Sequence, residues 1–274
     1  MFMGVIIGEG KNEGIEIFTN NKKSEKLIFA FHGTPLTKKF AEFADIVETE
    51  TRTDKKVFMP YTTAWTSTMS HARLVEEMDK YYQLTKKDLL EAKTIDIVAH
   101  SYGPIKALAF LHAIAKDKEN APKILAKVEN LHLYNGLINT DHDENHSSKH
   151  NIKVFIFKIR IFFMSLLRGE KDVETPDVVK SLIDLKSDTF KPTTLIMYNP
   201  NDGLAPSSEP FMEKVQGELK KAGVLCAVKN DSRLHRYLAQ EGYNHSTGSG
   251  IVERFERTEE KIKELVAKSS GIAK

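Results

Sequence analysis

An apolar run that stops at a serine, with small residues two places before it and two places after it, constrains this chain more than any other stretch. The run is Ile95, Ile97, Val98 and Ala99. The serine is Ser101, set in Asp96-Ile97-Val98-Ala99-His100-Ser101-Tyr102-Gly103-Pro104. A helix-forming stretch, Ile105 to Ala115, follows at once. A strand that turns straight into a helix crowds the two backbones around the serine. Only small side chains such as Ala99 and Gly103 avoid a clash there, and the serine backbone is expected to be strained. The turn pushes the Ser101 hydroxyl into an open cleft. This is the setting of a nucleophile elbow, with alanine in place of the first glycine.

A serine nucleophile needs a base, an acid to orient the base, and donors for the oxyanion. Candidates occur on both sides of the elbow. Upstream, the apolar run Lys26-Leu27-Ile28-Phe29-Ala30-Phe31 leads into His32-Gly33-Thr34-Pro35. Downstream, Thr193-Thr194-Leu195-Ile196-Met197-Tyr198 leads into Asn199-Pro200-Asn201-Asp202-Gly203, a turn rich in Asn, Pro and Gly. Beyond it, Gly242-Tyr243-Asn244-His245-Ser246 sets a histidine in a loop just ahead of the last helical stretch.

With these motifs in this order, the sequence resembles the α/β-hydrolase superfamily, from about the strand at Leu27 to the C-terminal helix. The resemblance implies Ser101 as nucleophile, His245 as general base and Asp202 as the acid. It implies the backbone N–H groups of Thr34 and Tyr102 as the oxyanion hole. The other histidines read differently. His32 organises the oxyanion loop, and His100 points away from the cleft. His235, the one rival base, sits in the charged run Asp231-Ser232-Arg233-Leu234-His235-Arg236, which suits a surface helix. A loop histidine is favoured because function concentrates in loops.

The alternation of elements agrees. Strands are expected at Ile15–Thr19, Leu27–Phe31, Lys56–Met59, Thr94–Ala99, Asn130–Tyr134, Thr193–Tyr198 and Val224–Lys229. Helices are expected at Lys39–Glu50, Ser70–Thr85, Pro104–Lys116, Ser208–Ala222 and Ile251–Ala267. Strands alternating with helices give an α/β fold, a mostly parallel twisted sheet flanked by helices. Ligands bind such sheets beyond the carboxyl ends of the strands. Thr34, Ser101 and Asp202 all fall at those ends.

The stretch from Leu137 to Lys191 breaks the alternation and reads as a mainly helical cap, inserted into one domain spanning residues 1–274. It holds a strongly apolar run, Asn151 to Arg168, interrupted by Lys153, Lys158, Arg160 and Arg168. Its apolar residues exceed what one helical face requires. Phe155, Phe157, Phe162 and Phe163 are therefore candidates to line an acyl pocket, against the plainer reading that they pack the cap on the core. A third reading is an interfacial helix making transient contact with a membrane surface. Four cations argue against a membrane span.

Composition narrows the function classes. Lys and Arg total 40 against 38 Asp and Glu, so no global field favours nucleic acid. The single cysteine, Cys226, rules out an internal disulfide framework and fits a reducing compartment; it reads as inert core. Met1 to Gly14 lacks a basic start followed by a long apolar run, so no signal peptide is expected and the expected location is cytoplasmic. The loop Asp141-His142-Asp143-Glu144-Asn145-His146 has metal-ligand residue types but reads as solvated, so neither metal nor cofactor is expected. The reading is a serine hydrolase cleaving an ester or thioester with an apolar acyl group, its partner a small-molecule ester or lipid-like substrate. An acyltransferase using the same acyl-enzyme, and a non-catalytic binding protein on the same scaffold, are the alternatives.

Overall fold

The computed structural model describes residues 4–7, 16–20, 22–31, 33, 54–61, 68–134, 136, 138, 148–171, 173–200 and 207–230. Eight strands are present among them: β1 (Gly4–Ile7), β2 (Glu16–Thr19), β3 (Lys26–Phe31), β4 (Lys56–Tyr61), β5 (Thr94–His100), β6 (Val128–Tyr134), β7 (Thr193–Tyr198) and β8 (Cys226–Asn230). They form one sheet in the order β1-β2-β4-β3-β5-β6-β7-β8. β1 and β2 pair antiparallel, and every pairing from β4 to β8 is parallel. The mostly parallel sheet is as expected. β1 was not expected, and α-helices also occur outside the expected ranges, as described below.

Parallel strands buried on both faces carry continuous apolar runs. β3 and β5 do so, and their residues sort by twos. Phe29, Phe31, Ile97 and Ala99 enter the larger core, while Ile28, Ala30 and Val98 enter a second cluster on the opposite face. The register sets Phe31, Ala99, Leu133 and Ile196 in one row across β3, β5, β6 and β7. The carboxyl ends of these four strands therefore lie along one edge. At the opposite end, Lys55 Nζ lies 2.9 Å from Asp96 Oδ2, and Asn130 Nδ2 donates to Asp96 Oδ1 at 2.7 Å. Both groups are buried, so each needs the other to offset its desolvation.

Six helices occur among the described residues: α1 (His71–Glu91), α2 (Gly103–Lys116), α3 (Ala121–Leu125), α4 (Ser148–Leu167), α5 (Val178–Leu185) and α6 (Glu209–Lys221). Ser70 caps α1, its side chain accepting from the Arg73 N–H; Ser208 and Asp177 cap α6 and α5 in the same way. α1 runs past its expected end at Thr85 because Leu89 continues the buried face set by Leu74, Val75, Met78 and Tyr82. α2 is enclosed by the sheet, α1 and α5. Phe110 on its sheet-facing side packs at a tilt against Phe29 and Phe31, at ring-centroid distances of 5.0 and 5.4 Å. Cys226 is buried in β8, and that burial raises its thiol to about 11, so it stays a protonated core residue. Within the expected cap range lie two helices, α4 and α5. The expected helices Lys39–Glu50 and Ile251–Ala267 lie outside the described residues.

Candidate active site

Ser101 follows the last residue of β5 and precedes Tyr102, the N-cap of α2. Its φ is 59°, the one positive value among the described non-glycine residues. A non-glycine residue held in the left-handed region costs about 1–3 kcal/mol and persists only where its surroundings fix it. Two contacts do so. The Ser101 N–H donates to the Tyr134 carbonyl at the end of β6, at 2.9 Å. Pro104, in the first turn of α2, fixes the helix entry.

The neighbouring backbone comes so close that two positions must be glycine. A Cβ on Gly33 would lie 2.7 Å from Ser101 Cβ and 3.0 Å from Ser101 Oγ. A Cβ on Gly136 would lie 2.7 Å from Pro104 Cγ and 3.5 Å from the Ser101 carbonyl oxygen. Gly33, after β3, thus lies against the serine side chain, and Gly136, after β6, against Pro104. The first of these contacts sets the hydroxyl beside the backbone of Gly33.

Lys106 holds that backbone from behind. It is one turn into α2, only 2% exposed, and its ammonium donates to the Gly33 carbonyl at 3.0 Å. The same ammonium lies 5.8 Å from the centre of the Tyr102 ring, in cation–π range. Sequence reading missed Lys106, Gly33 and Gly136 as site residues. The signal for Lys106 was present, as the one cation in the run from Ile105 to Ile114, where a buried charge must have a partner.

Tyr102 contributes in two ways. Its amide opens α2, at the positive end of the helix dipole, where backbone N–H groups favour negative charge. Its ring is buried, and burial raises the phenol well above the ordinary tyrosine range, against a small lowering by Arg160. The phenol therefore stays neutral and packs. Against it lies Phe157 of α4, ring centroids 5.9 Å apart. Arg168 ties the far end of α4 to the segment before α1, donating to the carbonyl and hydroxyl of Thr68 at 2.9 and 3.0 Å.

The expected site residues are placed as follows. Ser101 and Tyr102 sit together at the carboxyl edge of the sheet. Phe157 is half-buried and faces Tyr102. Phe155, Phe162 and Phe163 do not join it. They are exposed by 63, 52 and 57%, on the outer side of α4, which corrects their expected place in an acyl pocket. The physical reason is helical geometry: a helix laid on the core by Phe157, Ile161 and Ser165 turns positions 155, 162 and 163 outward. His100 is half-buried at the end of β5. Thr34, Asp202, His245, His235, His32 and the loop Asp141 to His146 lie outside the described residues.

No family model and no curated protein sequence matches the chain. Solved structures do. The apo form of Thermogutta terrifontis esterase 2 aligns over 94% of each chain at 11% identity, with a TM-score of 0.58. The same esterase phosphonylated by sarin aligns at 12% identity with a TM-score of 0.58, again over 94% of each chain. Its butyrate-bound form aligns at 11% identity with a TM-score of 0.57, over 94% of each chain. At this identity the likeness is one of fold, and the fold is that of the α/β-hydrolases. Among the described residues, no helix is long and apolar enough to cross a membrane.

Proposed function

We propose that this protein is a serine esterase that works through an acyl-enzyme on Ser101. Ser101 Oγ attacks the ester carbonyl carbon while His245 takes its proton. The C–O bond to the alcohol then breaks, and His245 returns the proton to the departing oxygen. Water, deprotonated by the same ring, attacks the acyl-enzyme and releases the carboxylic acid and the serine. Asp202 accepts the other ring N–H of His245 and holds its tautomer. The N–H groups of Thr34 and Tyr102 stabilise the tetrahedral oxyanion.

The observation that carries this reading is the left-handed Ser101 between β5 and α2, its hydroxyl against Gly33. Chain geometry supports the remaining assignments. β7 is two strands from β5, about 10 Å away, and Asp202 is four residues past Tyr198, a reach of up to about 13 Å. His245 follows β8, which preserves the order serine, acid, histidine. In this reading Lys106, which donates to the Gly33 carbonyl, serves the oxyanion hole by holding the peptide unit that this carbonyl shares with the next amide. In this reading the acyl chain meets Phe157, the aromatic residue that packs against Tyr102. That the structurally similar protein is an esterase, and has been captured with butyrate bound, lends weight to a small ester as substrate.

A series of p-nitrophenyl esters, from acetate to octanoate, tests the reading. The wild type should hydrolyse at least one of them, with kcat/KM rising about fourfold per added CH₂ while the chain is still being buried. Ser101→Ala should lose about 10⁴-fold or more in kcat while remaining folded. Absence of turnover across the series, or full turnover by Ser101→Ala, would overturn it.

A further inference from the structure

We infer that the outer face of α4 is a docking surface for an anionic lipid bilayer. The helix lies on the protein through Phe157, Ile161, Met164 and Ser165. Its opposite side is equally apolar. Ile152, Phe155, Ile156, Ile159, Phe162, Phe163, Leu166 and Leu167 are all exposed, Leu167 by 79%. At about 100° per residue these positions fall within an arc of about 140°, one continuous stripe along the helix. A surface helix needs one apolar face, and α4 has two. Apolar residues scattered singly over a surface need no explanation, whereas a contiguous stripe of this length marks a contact site.

Charge selects the occupant. α4 has no aspartate or glutamate in its 20 residues and carries Lys149, Lys153, Lys158 and Arg160. By the same helical spacing, Arg160 lies along one edge of the stripe and Lys158 along the other. An apolar band with cations on both edges matches a bilayer whose headgroups are negative and whose acyl chains begin just beneath. A second copy of the chain fits worse. In a two-fold contact the stripe would meet itself and bring two sets of cations together with no acidic residue on either helix. Because the helix is not apolar enough to span a membrane, it would lie in the interface, its axis parallel to the surface. The inference does not depend on the esterase reading.

Flotation with vesicles tests it. The full-length protein should float with phosphatidylcholine vesicles that contain phosphatidylglycerol, and bind phosphatidylcholine alone far more weakly. Added salt should reduce the binding. Ile156→Ser with Leu166→Ser should abolish flotation. Lys158→Gln with Arg160→Gln should weaken it by about thirtyfold. Both double variants should keep the wild-type circular dichroism spectrum, because Ile156, Leu166 and Arg160 are exposed and Lys158 is only half-buried. Ser101→Ala should float like the wild type, which separates this result from the fate of the catalytic assignment. Failure of the wild type to float, or flotation of Ile156→Ser with Leu166→Ser equal to that of the wild type, would overturn the inference. So would concentration-dependent dimerisation in light scattering that Ile156→Ser with Leu166→Ser abolishes, since that would assign the face to a second copy.

Discussion

α2 and α4 are built from similar apolar residues and meet opposite fates. α2 buries Ile105, Ala107, Leu108, Ala109, Phe110, Leu111, Ala113 and Ile114 between the sheet and its neighbouring helices. α4 buries one edge and leaves large residues from Ile152 to Leu167 in solvent. The cations differ too. Lys106 in α2 is sealed in and spends its charge on the Gly33 carbonyl, whereas Arg160 in α4 is exposed. Hydrophobicity therefore sets how much surface a helix must hide, and topology decides what hides it. The sheet enforces the environment of α2, because that helix must follow β5 and return to β6. α4 belongs to a longer excursion between β6 and β7, free to face outward.

The largest expected effect lies in the enclosed helix. Phe110→Ala removes a ring packed against Phe29 and Phe31 and should cost about 3–5 kcal/mol of stability in a denaturant titration. A loss below 1 kcal/mol, roughly that of a surface substitution, would erase the contrast with α4.

Lys106→Met comes next. It keeps the length of the side chain and removes the ammonium that holds the Gly33 carbonyl. With an ester substrate kcat should fall by about 10- to 10³-fold, bounded by what one oxyanion donor contributes, while KM moves little. A lower melting temperature with unchanged kcat would make Lys106 a purely structural residue.

A smaller effect appears at acid pH, where the outer end of α2 meets α1 and α5. His112 and His71 pack edge to face, 5.2 Å between ring centres. Burial lowers His112 to about 4, helped by His71 and opposed by Asp184. Burial also lowers His71, with Glu174 and Asp184 opposing it and Lys180 and Lys116 reinforcing it. The unfolded chain binds these protons first, near pH 6.5, so stability should decline as the pH falls from about 6.5 toward 4. His112→Gln should flatten that decline in thermal melts taken across the range. An unaltered pH dependence would show that other groups set it.

The smallest effect is expected on the outward face of α4. Phe162→Ala should change stability by no more than about 0.5 kcal/mol. A cost approaching that of Phe110→Ala would mean that the chain itself covers this face, and would remove the ground for a docking surface.

The parts of this molecule that sequence made legible are those governed by local spacing. The run ending at Ser101 announced both β5 and the elbow, since a strand, a turn and a helix within a dozen residues leave few geometries. The alternation of β5, β6, β7 and β8 with helices was equally plain. β1 was missed because Gly4-Val5-Ile6-Ile7 is short and gains its strand form by pairing with β2. The last turns of α1 were missed because Lys86, Lys87 and Asp88 look like a loop, although Leu89 beyond them is buried. Contacts between distant positions were not legible at all. Lys106 and Gly33 are 73 residues apart, and nothing in either segment names the other. For α4 the sequence showed an excess of apolar residues without saying which of them turn outward. That depended on which side of the helix met Tyr102.

The central claim is that Ser101 is a nucleophile made so by the turn between β5 and α2. Labelling with a fluorophosphonate probe, followed by intact-mass measurement and peptide mapping, tests it most directly. One adduct per chain on the peptide that contains Ser101, absent from Ser101→Ala at wild-type fold content, is the predicted result. Labelling that persists in Ser101→Ala, or a well-folded wild type that takes up no probe, would contradict it.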